Sequence, residues 1–456
     1  MLLSALAEIV GAHFVRNDPD SLQRFGVDRS SGWLPAPCCV VLPGSTAEVQ
    51  RIVQLARERR IGLVPSGGRT GLSGGAVARN GEIVVALERM DRLIGFDPVT
   101  RSLTVQAGMI TARVQEHAAA HGLYYPVDFA SAGSSQIGGN VATNAGGIKV
   151  IRYGMTRDQV LGLQVVDGNG AVLELNRGLV KNNSGPDFRH LFIGSEGILG
   201  IVTEVTLRLQ RQPAPSRVML LGVPDFVSIL HVLQAYHSDI ELAAFEFFAD
   251  NALQKVLQHT DLAAPFGDRN AFYALLEIDE DAADPAMALF EHCVAQGWVR
   301  DGVLSQSLDQ ARKLWRLRED ISETLSRWQP YKNDISVLIS RMPAFIERVE
   351  ALVRREYAAL EVVWYGHIGD GNLHLNILRP EGMELAEFNA RCGDATRSIA
   401  TLLGEFGGSI SAEHGIGLLK KDYLDCTSSA SELQLLRGLK RVFDPLGIMN
   451  PGKVID

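Results

Sequence analysis

The sequence lacks the features that are typical of membrane-spanning proteins, of nucleic-acid-binding proteins and of disulfide-rich proteins. No stretch of about 18 apolar residues occurs, so no membrane-spanning helix is predicted. The formal charge of −9, with no long block of lysine and arginine, argues against nucleic acid as the main partner. The five cysteines are scattered without a CxxC pair, which indicates reduced thiols in a cytoplasmic protein.

Two common nucleotide-binding motifs are also missing. The chain contains no G-x-x-x-x-G-K-[ST] phosphate loop and no G-x-G-x-x-G fingerprint. These absences argue against a P-loop nucleotidase and against a Rossmann site for NAD.

The length of 456 residues predicts more than one domain, because a single compact core rarely grows so large. Residues 1–212 are rich in glycine and in short apolar runs, whereas longer helical patterns follow. We therefore predict a first domain over 1–212, a second over 213–430, and a C-terminal segment over 431–456. The fold class predicted from these patterns is mixed helix and sheet, α+β.

Several local elements can be predicted from periodicity and capping signals. Residues 2–13 have apolar residues at helical spacing and predict an amphipathic first helix rather than a signal peptide. Ser45 and Glu48 form an S-x-x-E capping signal, and the apolar positions that follow predict one buried stripe. Apolar runs at 161–166 and 172–175 flank an Asp-Gly-Asn-Gly turn and predict a hairpin.

Two long glycine-rich segments dominate the first domain. Pro65–Val77 reads PSGGRTGLSGGAV and holds five glycines in thirteen residues, and Gly133–Gly154 forms a second cluster. Such glycines can simply shape turns. Two such segments in one domain, however, would leave much backbone without hydrogen bonds unless an extended polar ligand lay between them.

The second domain contains a histidine pattern, YGHIGDGNLHLNI, over Tyr365–Ile377. Strand alternation places His374 and Asn376 on one face, and the Gly-Asp-Gly-Asn turn folds their strand back toward His367. Two histidines with one carboxylate leave open positions on a metal ion, as catalytic zinc sites do. Glu413, in SAEHGIG, is the natural third ligand. Iron, manganese and cobalt accept similar ligands, and histidines of the core are the alternative interpretation.

At this point the sequence resembles a known family. The first-domain motifs look like the two-subdomain FAD-binding domain of the vanillyl-alcohol-oxidase type, and the second-domain motifs are similar to the cap domain of FAD-linked D-2-hydroxyacid dehydrogenases. The resemblance implies an α+β cap domain with an antiparallel sheet, and a C-terminal segment that returns to the FAD domain. The motifs run from about residue 33 to Lys453 and comprise Pro65–Val77, Ile137–Gly147, Arg152–Gly154, Gly194–Val205, Gly366–Asn376, Ser411–Gly417 and Met449–Lys453.

The resemblance implies which residues hold FAD. The first loop should bind the pyrophosphate, the second the isoalloxazine and ribityl groups, and a later turn the adenosine half, with the tail returning toward the flavin. Relatives that bind FAD covalently have a histidine where this chain has Arg69, which implies noncovalent FAD. The implied FAD-binding residues are Pro65, Ser66, Gly67, Gly68, Arg69, Thr70, Gly71, Ser134, Gly138, Gly139, Asn140, Thr143, Asn144, Gly146, Glu196, Gly197, Ile201 and Asn450, with Lys453 beside them.

The resemblance also implies the chemistry. A divalent metal, with zinc preferred, would be held by His367, His374 and Glu413. His414 would be the general base, because a neutral histidine has a suitable intrinsic pKa. Substrate would be bound by Arg318, Ser322, Lys332, Asn376 and His414.

The expected reaction is oxidation of D-2-hydroxyglutarate, then D-malate, because two cations suit a second carboxylate better than the methyl of lactate. Arg318 and Lys332 are otherwise solvated surface charges. A D-lactate or glycolate dehydrogenase is the alternative within the family. Two alternatives lie outside the family: a metal-dependent hydrolase, and a flavin-binding subunit that has no catalytic activity of its own. The expected electron acceptor is an electron-transfer flavoprotein or a quinone-linked carrier, and a homodimer is left open.

Overall fold

The computed structural model describes residues 2–30 and 32–456 and divides the chain into two compact units. Unit 1 comprises Met1–Gly147, Tyr153–Gln212 and Glu413–Asp456, and unit 2 comprises Ile148–Arg152 and Pro213–Ala412. Along the described residues, no helix has both the length and the apolarity that a bilayer crossing requires.

Unit 1 combines two main sheets with flanking helices. One sheet has the order β1-β2-β4-β3, the second has the order β5-β6-β10-β8-β9, and β11 pairs with β7. The strands are β1 (Val15–Arg16), β2 (Cys39–Val41), β3 (Leu63–Ser66), β4 (Ile83–Ala86), β5 (Leu93–Asp97), β6 (Ser102–Gln106), β7 (Leu123–Tyr124), β8 (Val160–Asp167), β9 (Val172–Leu175), β10 (Gly200–Arg208) and β11 (Gln210–Arg211).

The helices of unit 1 lie before, between and after these strands. They are α1 (Leu2–Val10), α2 (Pro19–Phe25), α3 (Thr46–Arg59), α4 (Thr111–Ala120), α5 (Ile137–Thr143), α7 (Thr156–Gln159), α8 (Arg189–Phe192), α15 (Leu424–Thr427) and α16 (Ala430–Phe443). The short helix α6 (Val150–Tyr153) begins in the excursion that belongs to unit 2.

Local sequence signals explain several of these elements. The predicted first helix is α1, and the predicted hairpin forms from β8 and β9, which pair antiparallel. In α3 the Ser45 side chain accepts a hydrogen bond from the Glu48 amide at 3.3 Å, and the predicted stripe is buried. The Glu48 carboxylate accepts from the Gly44 amide at 2.7 Å rather than from Ser45, so the reciprocal bond of the capping box is displaced by one residue.

Unit 2 is built on one seven-stranded sheet with the order β15-β12-β14-β13-β17-β18-β16. Every neighbouring pair is antiparallel, which confirms the antiparallel sheet expected for this domain. The strands are β12 (Ser216–Val223), β13 (Ala244–Ala249), β14 (Phe272–Asp279), β15 (Asp301–Leu304), β16 (Tyr331–Ser336), β17 (Glu361–Gly366) and β18 (Asn372–Leu378).

Helices pack against both faces of this sheet. They are α9 (Phe226–Asp239), α10 (Asp250–His259), α11 (Ala283–Ala295), α12 (Leu308–Leu325), α13 (Met342–Glu356) and α14 (Leu385–Glu405). Helices α10 and α12 share a buried cluster with Phe248 and Tyr365, whereas Phe226 of α9 meets Phe247 from the opposite side. Side chains alternate along a strand, so Phe247 and Phe248 mark the two faces.

The last segment of unit 1 begins at Glu413, and the predicted boundary at residue 430 lies inside it. Hydrogen bonds within unit 1 explain the earlier start. The Glu196 carboxylate accepts from the Ile416 and Gly417 amides at 2.7 and 2.9 Å, and the Ser73 carbonyl accepts from the Leu418 amide at 2.9 Å. These bonds join residues 416–418 to the first part of the chain.

Candidate active site

The two glycine-rich segments of unit 1 meet at their backbones. The first begins at the end of β3, where Ser66 is fully buried. A Cβ atom at Gly68 would overlap the carbonyl oxygen of Ser134, and one at Gly67 would lie 3.4 Å from the Gln136 side-chain oxygen. Glycine is required at Gly68 for this close approach.

Buried polar atoms without hydrogen-bond partners lie in these two segments and in the C-terminal tail. Within the described residues they include Ser66 Oγ, Gln136 Oε1 and Asn450 Oδ1. The Asn450 side chain donates to the carbonyls of Gly75 and Glu196 at 2.8 and 2.7 Å, which leaves its oxygen as an acceptor. Buried polar atoms are rarely left unsatisfied, so these residues fit a polar ligand such as the FAD implied by the sequence.

Several residues expected near FAD have side chains committed to the protein itself. Arg69 forms an ion pair with Glu88 at 2.8 Å and lies over the Phe25 ring, 4.6 Å from its centroid. Asn140 donates to the Thr111 hydroxyl at 2.7 Å. The guanidinium of Arg69 and the side-chain amide of Asn140 therefore stabilise the loops.

Other predicted residues have similarly structural contacts. Thr143 donates to the Gly139 carbonyl at 3.1 Å, and the Asn144 side-chain oxygen accepts from the Arg157 amide at 2.9 Å. A Cβ atom at Gly138 would lie 2.7 Å from Ala107 Cβ, and Ile201 belongs to the core of unit 1.

The remaining glycines of the predicted set have the following surroundings. The Gly71 carbonyl accepts from the Arg29 amide at 2.9 Å, and Gly146 is buried. A Cβ atom at Gly197 would lie 3.0 Å from Pro65 Cγ, whereas one at Gly139 would meet no atom within 4 Å. Thr70 is half-buried.

The tail of the chain brings a buried cation into unit 1. Lys453 is 2% exposed, and burial lowers the pKa of its ammonium group to about 8 although nearby Glu82 opposes the change. A lysine with a lowered pKa is a common feature of functional sites. This position agrees with the expectation that the tail returns to the FAD domain.

The predicted histidine hairpin forms in unit 2. Strands β17 and β18 pair antiparallel, and His367 follows the end of β17 in the turn. The rings of His367 and His374 have centroids 5.1 Å apart. His374 pairs across the sheet with Tyr365 and Asp334, so these side chains share the face covered by α10 and α12.

Each histidine has a carboxylate at its Nδ1 atom, and the sequence analysis missed both carboxylates. Glu246 Oε1 lies 2.7 Å from His367 Nδ1, and Asp334 Oδ1 lies 3.8 Å from His374 Nδ1. Glu246 is the single charged residue of β13, AFEFFA, and a lone charge in a buried strand is the signal that could have found it. Burial would raise the pKa of Glu246, but His367 and Arg318 outweigh burial and lower it.

Four of the five predicted substrate-binding residues, Arg318, Ser322, Lys332 and Asn376, belong to this face or to the helix α12 that covers it, whereas His414 belongs to unit 1. Arg318 of α12 is 7% exposed, forms an ion pair with Glu246 at 2.8 Å and lies 4.7 Å from the Tyr365 ring centroid. Lys332 donates to the Ser322 hydroxyl at 3.1 Å. The charge of Arg318 is thus already balanced by Glu246, so the electrostatic preference for a second carboxylate depends on Lys332.

Several buried polar atoms on this face have no hydrogen-bond partner within the described residues. They include Arg318 Nε and Asn376 Oδ1, and Asn376 is 1% exposed. Asn376 pairs with Lys332 across the sheet, so both side chains point to the same side. One buried donor and one buried acceptor fit a small polar substrate.

Glu413 and His414 are the first two residues of the last segment of unit 1. Their side chains are partly exposed, and His414 Nε2 lies 3.6 Å from Glu413 Oε1. The loop that follows is held by Glu196, whose pKa is raised to about 7 by burial despite two backbone N–H donors. In unit 2 the donor set, imidazoles backed by carboxylates, suits a divalent metal ion.

Comparison with solved structures defines the fold. The chain matches p-cresol methylhydroxylase with substrate bound, with a TM-score of 0.78 and 16% identity, over 100% of this chain and 96% of that one. At this identity the match shows the fold alone, which is that of the vanillyl-alcohol-oxidase type of FAD enzyme.

Comparison with known sequences defines the family. Residues 37–176 match the FAD binding domain, and residues 212–454 match the C-terminal domain of FAD linked oxidases. The chain is 53% identical to a D-2-hydroxyglutarate dehydrogenase of Stutzerimonas stutzeri over 99% of this chain and 98% of the relative. It is 54% identical to one of Xanthomonas citri pv. viticola, over 99% and 96%.

The chain therefore belongs to the FAD-linked oxidases. This membership confirms the predicted class of enzyme and the FAD cofactor. A metal-dependent hydrolase with purely structural glycine loops does not fit it.

Proposed function

We propose that this chain oxidises D-2-hydroxyglutarate to its 2-oxoacid, and D-malate less efficiently. The observation that supports the proposal best is the polar sheet face of unit 2, where two carboxylate-backed histidines share one side with Lys332 and Arg318. Relatives more than half identical to this chain carry the same activity in their names. This sheet face offers groups for both ends of a hydroxy dicarboxylate.

The proposed roles follow from the chemistry of each side chain. His414 removes the proton of the substrate hydroxyl, because a neutral imidazole has a suitable basicity near neutral pH. Lys332 and Ser322 bind the distal carboxylate, which Arg318 flanks. Asn376 orients the substrate through its buried side-chain amide.

FAD would be held noncovalently by the two glycine segments, and when bound it supplies the acceptor for the Cα hydride. Ser66, Gln136 and Asn450 offer unpartnered buried atoms for it. Arg69 occupies the position of the covalent histidine, and its ion pair with Glu88 stabilises the loop instead.

A divalent metal ion, zinc by preference, would be held by His367, His374 and Glu413 and would act as a Lewis acid. Glu413 is included because the sequence resemblance implies a carboxylate at this position as the third ligand.

The test is anaerobic reduction of the bound flavin by a panel of hydroxyacids. D-2-hydroxyglutarate should bleach the flavin absorbance fastest, D-malate next, and D-lactate and glycolate slowly. L-2-hydroxyglutarate is the matched control for stereochemistry. Faster bleaching by D-lactate, or equal bleaching by both enantiomers, would contradict the assignment.

Removal of the metal tests the second cofactor. Chelation should abolish turnover while the FAD absorbance stays with the protein, because different residues hold the two groups. Restoring activity with zinc, manganese, iron or cobalt in turn identifies the metal. Full turnover by rigorously metal-free enzyme would refute the metal site.

The electron acceptor we propose is an electron-transfer flavoprotein or a quinone-linked carrier. The chain has no Rossmann fingerprint for NAD. Reoxidation of the reduced enzyme by an electron-transfer flavoprotein, but not by NAD⁺, is the expected result. Reoxidation by NAD⁺ at a comparable rate would contradict it.

A further inference from the structure

Glu246 occupies an unusual position in unit 2. It is fully buried in β13 and its two oxygens reach two different functional groups, His367 Nδ1 at 2.7 Å and an Arg318 guanidinium nitrogen at 2.8 Å. The sheet register explains the arrangement. Glu246 lies two residues before Phe248, which pairs with Tyr365, so its side chain emerges on the polar face.

The contact with His367 has a defined chemical effect. A carboxylate at Nδ1 favours the tautomer with a proton on that nitrogen and fixes the plane of the ring. A metal ion would then be ligated through Nε2. Carboxylates in this position commonly raise the affinity of a histidine for metal.

The contact with Arg318 has a second effect. A buried guanidinium needs a balancing charge, and Glu246 provides it without a bound substrate. The same contact holds the guanidinium over Tyr365, 4.7 Å from the ring centroid. The orientation of Arg318 therefore depends on the carboxylate that also orients His367.

We propose that Glu246 is a positioning residue that couples metal affinity to selection of a dicarboxylate. The inference rests on the proposed function, since it assigns His367 to the metal and Arg318 to the substrate. Asp334 is not equivalent, because it lies farther from its histidine, at 3.8 Å, and accepts from the Asn372 side chain at 2.8 Å rather than from an arginine.

Glu246→Gln is the main variant, and Glu277→Gln is its matched control. Glu277 is also a buried carboxylate of the same sheet, and its ion-pair partner among the described residues is Lys149, at 3.0 Å, rather than a histidine. Zinc affinity of the FAD-loaded, metal-free protein is measured by competition with a chromophoric chelator. Selectivity is measured as the ratio of kcat/KM for D-2-hydroxyglutarate to that for D-lactate.

Glu246→Gln should weaken zinc binding by about 10–100-fold, the usual effect of losing such a carboxylate. It should also lower the selectivity ratio, whereas Glu277→Gln should leave zinc affinity and selectivity unchanged. In an Arg318→Met background, Glu246→Gln should cause no further loss of selectivity but should still weaken zinc binding. That double variant also avoids an unbalanced buried arginine if the single variant folds poorly.

Glu246→Asp provides a second measurement. It keeps the charge, but its shorter side chain cannot make both contacts, so zinc affinity or selectivity should fall although the protein folds. The inference is overturned if folded Glu246→Gln keeps wild-type zinc affinity, if Glu246→Asp keeps both wild-type zinc affinity and wild-type selectivity, or if Glu277→Gln weakens zinc binding as much as Glu246→Gln does. Wild-type protein that binds no zinc and whose flavin no hydroxyacid reduces would instead refute the proposed function, and the inference with it.

Discussion

Glu196 provides a prediction whose size can be worked out from the structure. Its carboxylate is 8% exposed and accepts hydrogen bonds from the Ile416 and Gly417 amides, in the loop that follows the proposed base His414. Burial raises its pKa from the ordinary value of 4.5 to about 7. The folded chain therefore holds a proton that the unfolded chain has already lost between these two pH values.

The sign of the effect on stability follows from proton linkage. Because the folded pKa is higher than the unfolded one, the contribution to stability is present below pH 4.5 and is lost as the pH rises through 7. One pKa unit corresponds to about 1.4 kcal/mol, so the loss amounts to about 3 kcal/mol. Glu196→Gln cannot ionise and should escape this loss.

The assay compares the Tm of FAD-loaded wild type and Glu196→Gln at pH 5 and at pH 8. Melting is detected by the release of flavin, because the predicted FAD-binding residues lie in unit 1. In a unit of this size, 1 kcal/mol changes Tm by about 2–4 °C. The drop in Tm between the two pH values should be smaller in Glu196→Gln by about 5–10 °C. Glu280→Gln, at an exposed carboxylate paired with Arg217, controls for the loss of one charge.

The reasoning would be refuted if Glu196→Gln and wild type lost the same Tm between the two pH values. A larger drop in the variant would be equally damaging. It would mean that the ionised carboxylate stabilises the loop through its two N–H donors by more than its burial costs.

Four further predictions concern the cofactor, the base and the substrate. Acid denaturation should release the yellow FAD into the supernatant, whereas colour in the precipitate would show a covalent bond. Gly68→Ala should yield folded protein with little FAD, since the added methyl overlaps the Ser134 carbonyl, and normal flavin content would contradict this. His414→Ala should lower kcat by about 10²–10⁴-fold with flavin retained, and a loss below about tenfold would assign the proton to another group. Lys332→Met should reduce kcat/KM for D-2-hydroxyglutarate at least about tenfold, because a charge-assisted hydrogen bond to the distal carboxylate is lost. The loss of kcat/KM for D-lactate should be much smaller. Equal losses on both substrates would place Lys332 at the α-carboxylate.

Features that depend on neighbouring residues were predictable from the sequence. The buried stripe of α3 and the β8–β9 hairpin follow from a helical period, a strand period and a turn motif, each confined to a few residues. The same holds for the β17–β18 hairpin, which brings His367 and His374 within 5.1 Å between ring centroids. The glycine-rich segments and the histidine motif are also continuous stretches of sequence, and the resemblance to the family, which predicted FAD, rested on them.

Contacts between distant segments were decided only by the tertiary structure. Glu246 lies 121 residues before His367, and no local pattern connects them; the strand pairing of β13 with β17 does. Similarly, Gly68 and Gly138 look alike in sequence, yet one meets the Ser134 backbone and the other packs on Ala107. A residue type and its spacing determine which chemistry a side chain can perform, but its partner, and hence its charge balance and orientation, depends on which remote strand or loop the fold brings beside it.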